Sequence, residues 1–350
     1  MENLKIDIIV PCFKAHKYLP RLLGSIIAQT IVDDVEVTLV NDADEKDYKE
    51  IVKQFKPYVK IKEVVISKNG GPGVARQYGY DHSSNPLVTF IDADDTFAGA
   101  FALHVLRKQL LEERENVICI GSFLEEHAEI DQYFNHNNDT VWMFGKLYKR
   151  AFLDKYEIRF NETRANEDNG FNMLCKLMSN EYEKIKFIPD IVYYWHTNPN
   201  SITRVENCRY SYDQSFVGYT DNMIWAIQEA EKRNPFNGAI LMQRIAVMLN
   251  LYEYYIETVV RDSRFIEQNW NCCRKFYKEV YREVKNKIPE DAFKQVYNDT
   301  MRNAYMGDKL NGIIPCMSIY EFLDKMEEEY IKEQMSENIS KKEQVVSICD

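Results

Sequence analysis

Three carboxylates, Asp92, Asp94 and Asp95, stand within four positions directly after an apolar stretch that ends at Ile91. At neutral pH such closely spaced carboxylates repel one another unless a positive group lies between them. A divalent cation bound by oxygen ligands meets that need, and magnesium or manganese on phosphates is the usual arrangement. A solvated acidic turn after a strand explains the same residues equally well. The segment alone therefore leaves a metal site and a surface turn open.

A second acidic pair, Glu167 and Asp168, has a chemistry suited to proton transfer. A positioned carboxylate can accept the proton of an attacking hydroxyl group. Acidic residues are also favoured in the first turn of a helix, where they face the positive end of the helix dipole. Taken alone, the pair favours the start of a helix over a catalytic role.

A glycine-rich segment, Gly70-Gly71-Pro72-Gly73, precedes Arg76. Glycines allow the backbone to approach a ligand closely, and a guanidinium pairs well with phosphate or carboxylate. The segment lacks the Lys-Ser/Thr of a P-loop, and the alternative role for Arg76 is a surface salt bridge. These residues suit either a diphosphate contact or a structural ion pair.

The elements that must position these residues alternate between strand and helix patterns. Apolar spacing predicts strands over residues 5–10, 35–40, 59–66 and 87–91, and helices over residues 18–29, 46–55 and 74–82. This alternation predicts an α/β fold, with a mostly parallel sheet and helices on both faces. Ligands bind outside the carboxyl ends of such strands. Three polar clusters occupy those ends, namely Pro11-Cys12-Phe13, Asn41-Asp42 and Asp92-Ala93-Asp94-Asp95. We therefore expect one shared site.

Beyond residue 99 the pattern is mixed, and beyond residue 204 it becomes helical. We expect a helix over 101–115, strands over 117–123 and 186–195, and helices over 217–231, 239–260, 270–284 and 320–333. The chain is accordingly divided into a sheet-containing domain, 1–204, a helical C-terminal region, 205–335, and a polar, flexible tail, 336–350.

Seven segments, read in order along the chain, together resemble glycosyltransferase family 2, the large inverting group with a GT-A fold. The similarity covers about residues 6–204 and extends to the capsule and cell-wall type members. The segments are VPCFKAHKYL, LVNDADE, NGGPGVARQYG, FIDADD, GKLYKRAFL, ANEDNGF and VYYWHTNPNSITR.

The resemblance implies a metal-dependent transfer of sugar from a nucleotide diphosphate donor to an acceptor hydroxyl, with inversion at the anomeric carbon. The favoured donor is a UDP-sugar, ahead of other nucleotide diphosphate sugars. It implies that Asp168 is the base and that Glu167 orients or binds the acceptor. It implies Mn²⁺ or Mg²⁺ held by Asp94 together with Asp92 or Asp95. His196 would be a further metal ligand or a diphosphate contact, although a lone histidine after a strand is more often structural. The implied donor contacts are Pro11, Phe13, Asp42, Gly71, Arg76, Asp92, Ala93, Asp94, Ser201 and Arg204.

Several of these roles can be stated in chemical terms. Phe13 would stack on the nucleobase, a contact worth about 1–3 kcal/mol; a core position at the strand end accounts for it nearly as well. Asp42 would accept the uracil N–H, although Asn41 replaces the acidic residue that precedes it in the family, which weakens a strict uridine preference. Ser201 and Arg204 would bind the leaving diphosphate. Trp142 suits stacking on a sugar face and core packing about equally.

Composition and charge limit the classes of partner that we expect for this chain. The formal net charge of −11 does not favour nucleic acid, whose partners normally present a basic field. The eight cysteines contain no C-x-x-C pair, so zinc spacing is absent. The first residues do not read as a signal peptide, and no apolar run reaches the roughly 18 residues of a membrane span. We expect a cytoplasmic protein with free thiols and a carbohydrate acceptor; dimerisation is left open.

Two other functions remain compatible with the sequence. One is a virus-type glycosyltransferase that modifies hydroxylated bases in DNA, with the helical region as a DNA groove. The other is a nucleotide-sugar-binding module without turnover, which the complete set of carboxylates argues against. A Rossmann dehydrogenase fits less well, because the first strand runs into Pro-Cys-Phe instead of G-x-G-x-x-G.

Overall fold

The computed structural model describes residues 4–199, 209–235, 237–261, 263–291, 293–294 and 317–346. The chain divides into two compact units, and the division falls between Arg233 and Asn234. The first unit contains the sheet and the second is helical. Each unit is described by itself below.

Four parallel strands form one half of the sheet in the first unit. They are β1 (Ile6–Cys12), β2 (Val35–Asp42), β3 (Lys60–Ile66) and β4 (Leu87–Phe90), in the spatial order β3-β2-β1-β4. The two central strands, β1 and β2, and β4 are almost wholly buried, as expected for a parallel sheet covered on both faces. The predicted parallel sheet is confirmed for this half.

The other half of the sheet is mixed. It contains β5 (Thr96–Phe97), β6 (Asn116–His127), β7 (Gln132–His136), β8 (Lys146–Lys149) and β9 (Lys184–Trp195). β8 lies antiparallel between β4 and β6, β9 runs parallel to β6, and β5 and β7 pair antiparallel with β9 and β6. Within the described residues, nine strands therefore form a single sheet.

Helices flank this sheet and bury its faces. They are α1 (Leu19–Ile27), α2 (Lys49–Phe55), α3 (Pro72–Asp81), α4 (Ala102–Leu110), α5 (Arg150–Lys155) and α6 (Glu167–Met178). A seventh helix, α7 (Arg209–Arg233), packs against α6. α1 shows why they form: Leu19, Leu22, Leu23 and Ile26 recur at helical spacing and are all buried in the core.

The predicted domain boundary at residue 204 differs from the division that the structure shows. α7 belongs to the first unit because it is tied to the segment before α6. The buried Asn222 of α7 donates its amide hydrogens to the Ala165 carbonyl oxygen at 3.0 Å and to Thr163 Oγ1 at 2.8 Å. The apolar spacing of α7 predicted a helix but carried no information on which unit it packs against.

The second unit contains α8 (Gly238–Arg261), α9 (Ile266–Phe276), a π-helical turn (Tyr277–Tyr281) and α10 (Ile319–Val346). Its core includes Leu251, Cys273, Phe276 and Phe322. The predicted flexible tail, 336–350, is helical as far as Val346, because α10 continues through a stretch rich in helix-forming Glu, Lys and Gln. No helix in the described parts of the chain is long and apolar enough to cross a membrane.

Candidate active site

The strand register brings the predicted polar clusters to one edge of the sheet. Cys12 of β1 lies beside Asn41 of β2, and Ile9 of β1 lies beside Phe90 of β4. Because these strands are parallel, the residues that follow them lie at the same edge. Phe13, Asp42 and Asp92 therefore share that edge, as the strand-end pattern predicted.

Arg76 connects two acidic elements at this edge. It lies on α3, and its guanidinium donates to Asp92 Oδ1 at 2.5 Å and to Glu167 Oε1 at 2.6 Å. Its side chain is 4% exposed and that of Glu167 is 6% exposed. Burial alone would lower the pKa of Arg76, but the charges of Asp92 and Glu167 outweigh it and raise the pKa. Arg76 thus holds residues 92–95, which we call the acidic loop, against α6 through buried ion pairs and not through a surface salt bridge.

Asp92 and Asp94 are the two carboxylates of the acidic loop that we consider first as ligands of a cation. Asp94 Oδ2 accepts from Asn198 Nδ2 at 2.7 Å, and Arg21 donates to the Asp94 carbonyl oxygen. Burial and the neighbouring charge of Asp92 raise the pKa of Asp94, which a nearby cation would reverse. Magnesium commonly uses one or two carboxylates and completes its coordination with phosphate oxygens. The two residues fit such an arrangement.

Asp95 and His196, the other two residues of the predicted metal set, are bound to neighbouring groups, and their role as metal ligands stays a prediction. The buried carboxylate of Asp95 accepts from the Tyr193 hydroxyl at 2.5 Å and from the His196 backbone N–H at 2.8 Å. Both ring nitrogens of His196 lie within hydrogen-bond distance of Thr96 and Glu126. Across the described residues, no three His, Cys, Asp or Glu side chains converge as metal ligands. Asp95 thus ties the acidic loop to the end of β9, and the His196 ring lies between Thr96 and Glu126.

Asp42 organises the glycine segment. Its two carboxylate oxygens accept the backbone N–H groups of Gly70 at 2.8 Å and Gly71 at 2.9 Å. Gly71 has φ of +88°, a conformation that favours glycine, and it immediately precedes α3. The predicted base-reading role would have to use the remaining lone pairs of this carboxylate, because the side chain is buried against the loop.

The proposed nucleobase platform is accessible. The Phe13 side chain follows β1 and is 49% exposed, so the core alternative for this residue is wrong. Pro11 is the penultimate residue of β1, and Ala93 is buried between the two carboxylates of the acidic loop. An exposed aromatic ring at the carboxyl edge of a parallel sheet is available for stacking.

Asp168 lies in the first turn of α6, directly after Glu167. Asn166, at the N-cap, has φ of +59°, and the Asp168 carboxylate accepts the backbone N–H of Asn169 at 2.8 Å. Burial and the adjacent Glu167 charge raise the pKa of Asp168 to about 7, although Arg76 opposes the shift. A carboxyl group with a pKa near neutrality suits a general base.

Sequence reasoning missed several residues that shape the site. The Tyr193 hydroxyl donates to Asp95, and the Asn198 amide donates to Asp94. Arg164 donates to Asn69, which precedes the glycine segment. Tyr193 and Asn198 lie in a segment that the resemblance had already singled out, whereas Arg164 carried no signal. The predicted diphosphate contacts Ser201 and Arg204 lie outside the described residues.

Residues 7–166 match the family model described as "Glycosyl transferase family 2". The chain is 28% identical over 228 residues to "Glycosyltransferase GlyA" of Streptococcus pneumoniae, covering 57% of this chain and 32% of that protein. It is also 28% identical over 207 residues to the poly(ribitol-phosphate) beta-N-acetylglucosaminyltransferase TarS of Staphylococcus aureus, covering 55% and 36%. The matches to these two relatives thus span about a third of their length.

Two solved structures show the same fold. S. aureus TarS 1–349 in complex with UDP-GlcNAc superposes with a TM-score of 0.66 at 18% identity, covering 86% of this chain and 93% of that one. The mannosyltransferase PcManGT from Pyrobaculum calidifontis, in complex with GDP-Man and Mn²⁺, gives a TM-score of 0.50 at 14% identity, covering 92% and 86%. At these identities the likeness establishes a GT-A fold, as predicted.

Proposed function

We propose that this chain, which belongs to glycosyl transferase family 2, transfers a sugar from a nucleotide diphosphate donor to an acceptor hydroxyl with inversion. One observation carries the proposal: Arg76 binds Asp92 of the acidic loop and Glu167 beside Asp168. A single buried side chain thereby fixes the loop suited to the donor diphosphate relative to the residue suited to activate the acceptor.

The donor would lie along the carboxyl edge of β1, β2 and β4. Phe13 would stack on the nucleobase, and the backbone at Gly71 would allow close approach of the donor. We expect uracil to be the base of the donor. The structural relative TarS was solved with UDP-GlcNAc, which supports that choice by analogy.

Asp92 and Asp94 would hold a divalent cation, manganese or magnesium, together with donor phosphate oxygens. A cation bound there supplies positive charge that stabilises the departing diphosphate. The structural relative PcManGT was solved with GDP-Man and Mn²⁺, which supports a cation by analogy. Within this chain, Asn198 and Arg21 orient Asp94 by binding its side chain and its carbonyl oxygen.

Asp168 would accept the proton of the acceptor hydroxyl as that oxygen attacks the anomeric carbon opposite the leaving group. Glu167 would act through Arg76 to position the acidic loop, because its carboxylate is bound to that arginine. This assigns Glu167 a supporting role in place of the acceptor contact considered from the sequence. The cytoplasmic location and the carbohydrate acceptor stay predictions.

A panel of nucleotide sugars with manganese tests the proposal by measuring release of the nucleotide diphosphate. We expect release from at least one UDP-sugar, and a reduction of roughly 10²–10⁴-fold in transfer for Asp168→Asn, the usual size of a general-base contribution. Asp324→Asn, which removes an exposed carboxylate from α10, is the matched control. Transfer by Asp168→Asn at the wild-type rate removes the base assignment, and no release from any donor refutes the proposed activity.

A further inference from the structure

The segment 139–145, which we call the tryptophan loop, is fixed at its start by its own aspartate. Asp139 Oδ1 accepts the backbone N–H groups of Val141 at 2.9 Å and of Trp142 at 2.8 Å. Lys146, which directly follows the loop, lies 3.6 Å from the same oxygen. The backbone at Trp142 is therefore bound to a carboxylate on one side.

The carbonyl group of Trp142 is bound just as firmly. The ammonium group of Lys146 donates a hydrogen bond to this oxygen, and Asn172 Nδ2 donates to it at 3.0 Å. Asn172 is itself oriented by the Tyr148 hydroxyl, which donates to Asn172 Oδ1 at 2.8 Å. Four polar side chains from three elements thus determine where Trp142 lies.

These contacts relate the tryptophan loop to the proposed base. Asn172 and Asp168 are four residues apart on α6, so they lie on the same face of that helix, one turn apart. Because Asn172 binds the Trp142 carbonyl, the loop lies against the α6 face that carries Asp168. The electrostatic interaction between Lys146 and Asp168 agrees with this proximity.

The Trp142 ring packs against two other aromatic rings. It lies parallel to Phe144, with centroids 5.9 Å apart and an interplanar angle of 4°, and 5.3 Å from the Trp195 ring. Phe144 is buried and also stacks on Tyr193, the residue that binds Asp95. Trp142 itself is only partly buried. The aromatic cluster thus extends from Tyr193, which binds the acidic loop, to the partly buried ring of Trp142.

Core packing alone does not account for this arrangement. Lys146 is 1% exposed, and burying an ammonium group is costly unless its partners compensate. Lys146 binds the backbone carbonyl oxygen of Trp142 and not its ring, so this buried cation fixes the loop and leaves the ring with aromatic contacts. Moreover, the indole nitrogen of Trp142 is not fully buried and donates to no acceptor in the described part of the chain, so its N–H is available to a ligand.

We propose that Trp142 is the platform on which a pyranose ring of the acceptor stacks. Its indole N–H donates to one hydroxyl of that ring, and a neighbouring hydroxyl then faces Asp168. The ring face presents C–H groups to the aromatic surface, so the acceptor is a cyclic sugar and not an acyclic polyol. This inference rests on the proposed function and specifies the acceptor class for it.

The test compares release of UDP with and without added acceptor. The probes are a panel of p-nitrophenyl pyranosides (glucose, galactose, N-acetylglucosamine, N-acetylgalactosamine and rhamnose) and, as the acyclic contrast, ribitol 5-phosphate. We expect at least one pyranoside to accelerate release by the wild type. In Trp142→Leu, the acceptor concentration giving half-maximal acceleration should rise roughly 5- to 100-fold, the range expected for loss of a stacking contact.

Two further variants keep the test decisive. Trp142→Phe retains a ring and the packing on Phe144 but lacks the indole N–H, so its concentration for half-maximal acceleration should lie between the wild type and Trp142→Leu. Trp270→Leu removes a partly buried tryptophan from α9 in the second unit and serves as the matched control. Its acceleration by the pyranoside should equal that of the wild type.

The possible failures are distinguishable. If the wild type releases no UDP from any donor, the proposed function fails. If release occurs but only ribitol 5-phosphate accelerates it, or if no probe does, the pyranose platform is wrong while the transferase proposal stands. Equal acceleration of Trp142→Leu and the wild type by a pyranoside overturns the role of Trp142.

Discussion

Arg76 is the residue whose replacement tests the architecture of the site most directly. Arg76→Met keeps most of the aliphatic length of the side chain but removes the charge that binds Asp92 and Glu167. Both carboxylates then lose their cationic partner, and the carboxylate of Glu167 is left in a setting with little access to water. We expect the first unit to unfold more readily and the acidic loop to lose its connection to α6.

The size of the effect follows from the burial of each partner. Glu167 is 6% exposed, so it would remain as a buried carboxylate without its charge partner, the situation that typically costs about 3–5 kcal/mol. Asp92 is 30% exposed, and water screens much of its interaction, so it adds little to that figure. We therefore expect a loss of about 3–5 kcal/mol, most of it arising from Glu167.

Thermal melting followed by tryptophan fluorescence and circular dichroism provides the measurement. For a unit of this size each kcal/mol lowers the melting temperature by about 2–4 °C, so the expected decrease is roughly 6–20 °C. Arg114→Met, which removes an exposed arginine from the same unit, is the matched control. The double variant Arg76→Met/Glu167→Gln should recover most of the loss, because it leaves no unpaired buried charge.

Two results would refute this reasoning. A melting temperature for Arg76→Met close to that of Arg114→Met would show that the buried ion pairs contribute little to stability. A double variant no more stable than Arg76→Met would show that the loss comes from packing and not from the charge left on Glu167.

Three further outcomes follow from the same structure. Phe13→Ala should weaken UDP binding roughly 5- to 150-fold in calorimetry, since stacking on a base is worth about 1–3 kcal/mol; unchanged affinity would exclude this ring as the platform. The pKa of Asp168 is raised to about 7, and the base acts only when deprotonated, so kcat/KM should fall as the pH drops below about 7; a flat profile from pH 5 to 8 would contradict the assignment. Gly79→Ala should lower the stability of the first unit by about 1–3 kcal/mol, because its Cβ would lie 2.4 Å from Ile9 Cγ2 and 2.8 Å from Val40 Cγ2; a melting temperature equal to the wild type would show that α3 can move away from the sheet.

Local patterning predicted most elements of the first unit. The runs around β1 to β4 are short, apolar and bounded by polar clusters, so their ends were predicted within a few residues. The mixed half was harder to predict, because the reversed direction of β8 depends on which neighbours a strand pairs with and not on its own composition. The same limitation explains why the predicted boundary at residue 204 differs from the division after Arg233, since α7 has the same helical pattern whichever unit it joins.

The sequence by itself determined that Phe13, Asp42 and Asp92 would meet, because parallel strands must bring their carboxyl ends to one edge. Only the tertiary structure decided what each side chain does there. Asp42 binds the Gly70 and Gly71 backbone, and Asp95 binds Tyr193, although the sequence grouped Asp95 with the metal ligands. These partners lie 28 or more positions apart in the chain, so their pairing depends on side-chain geometry across the packed fold, which local periodicity does not encode.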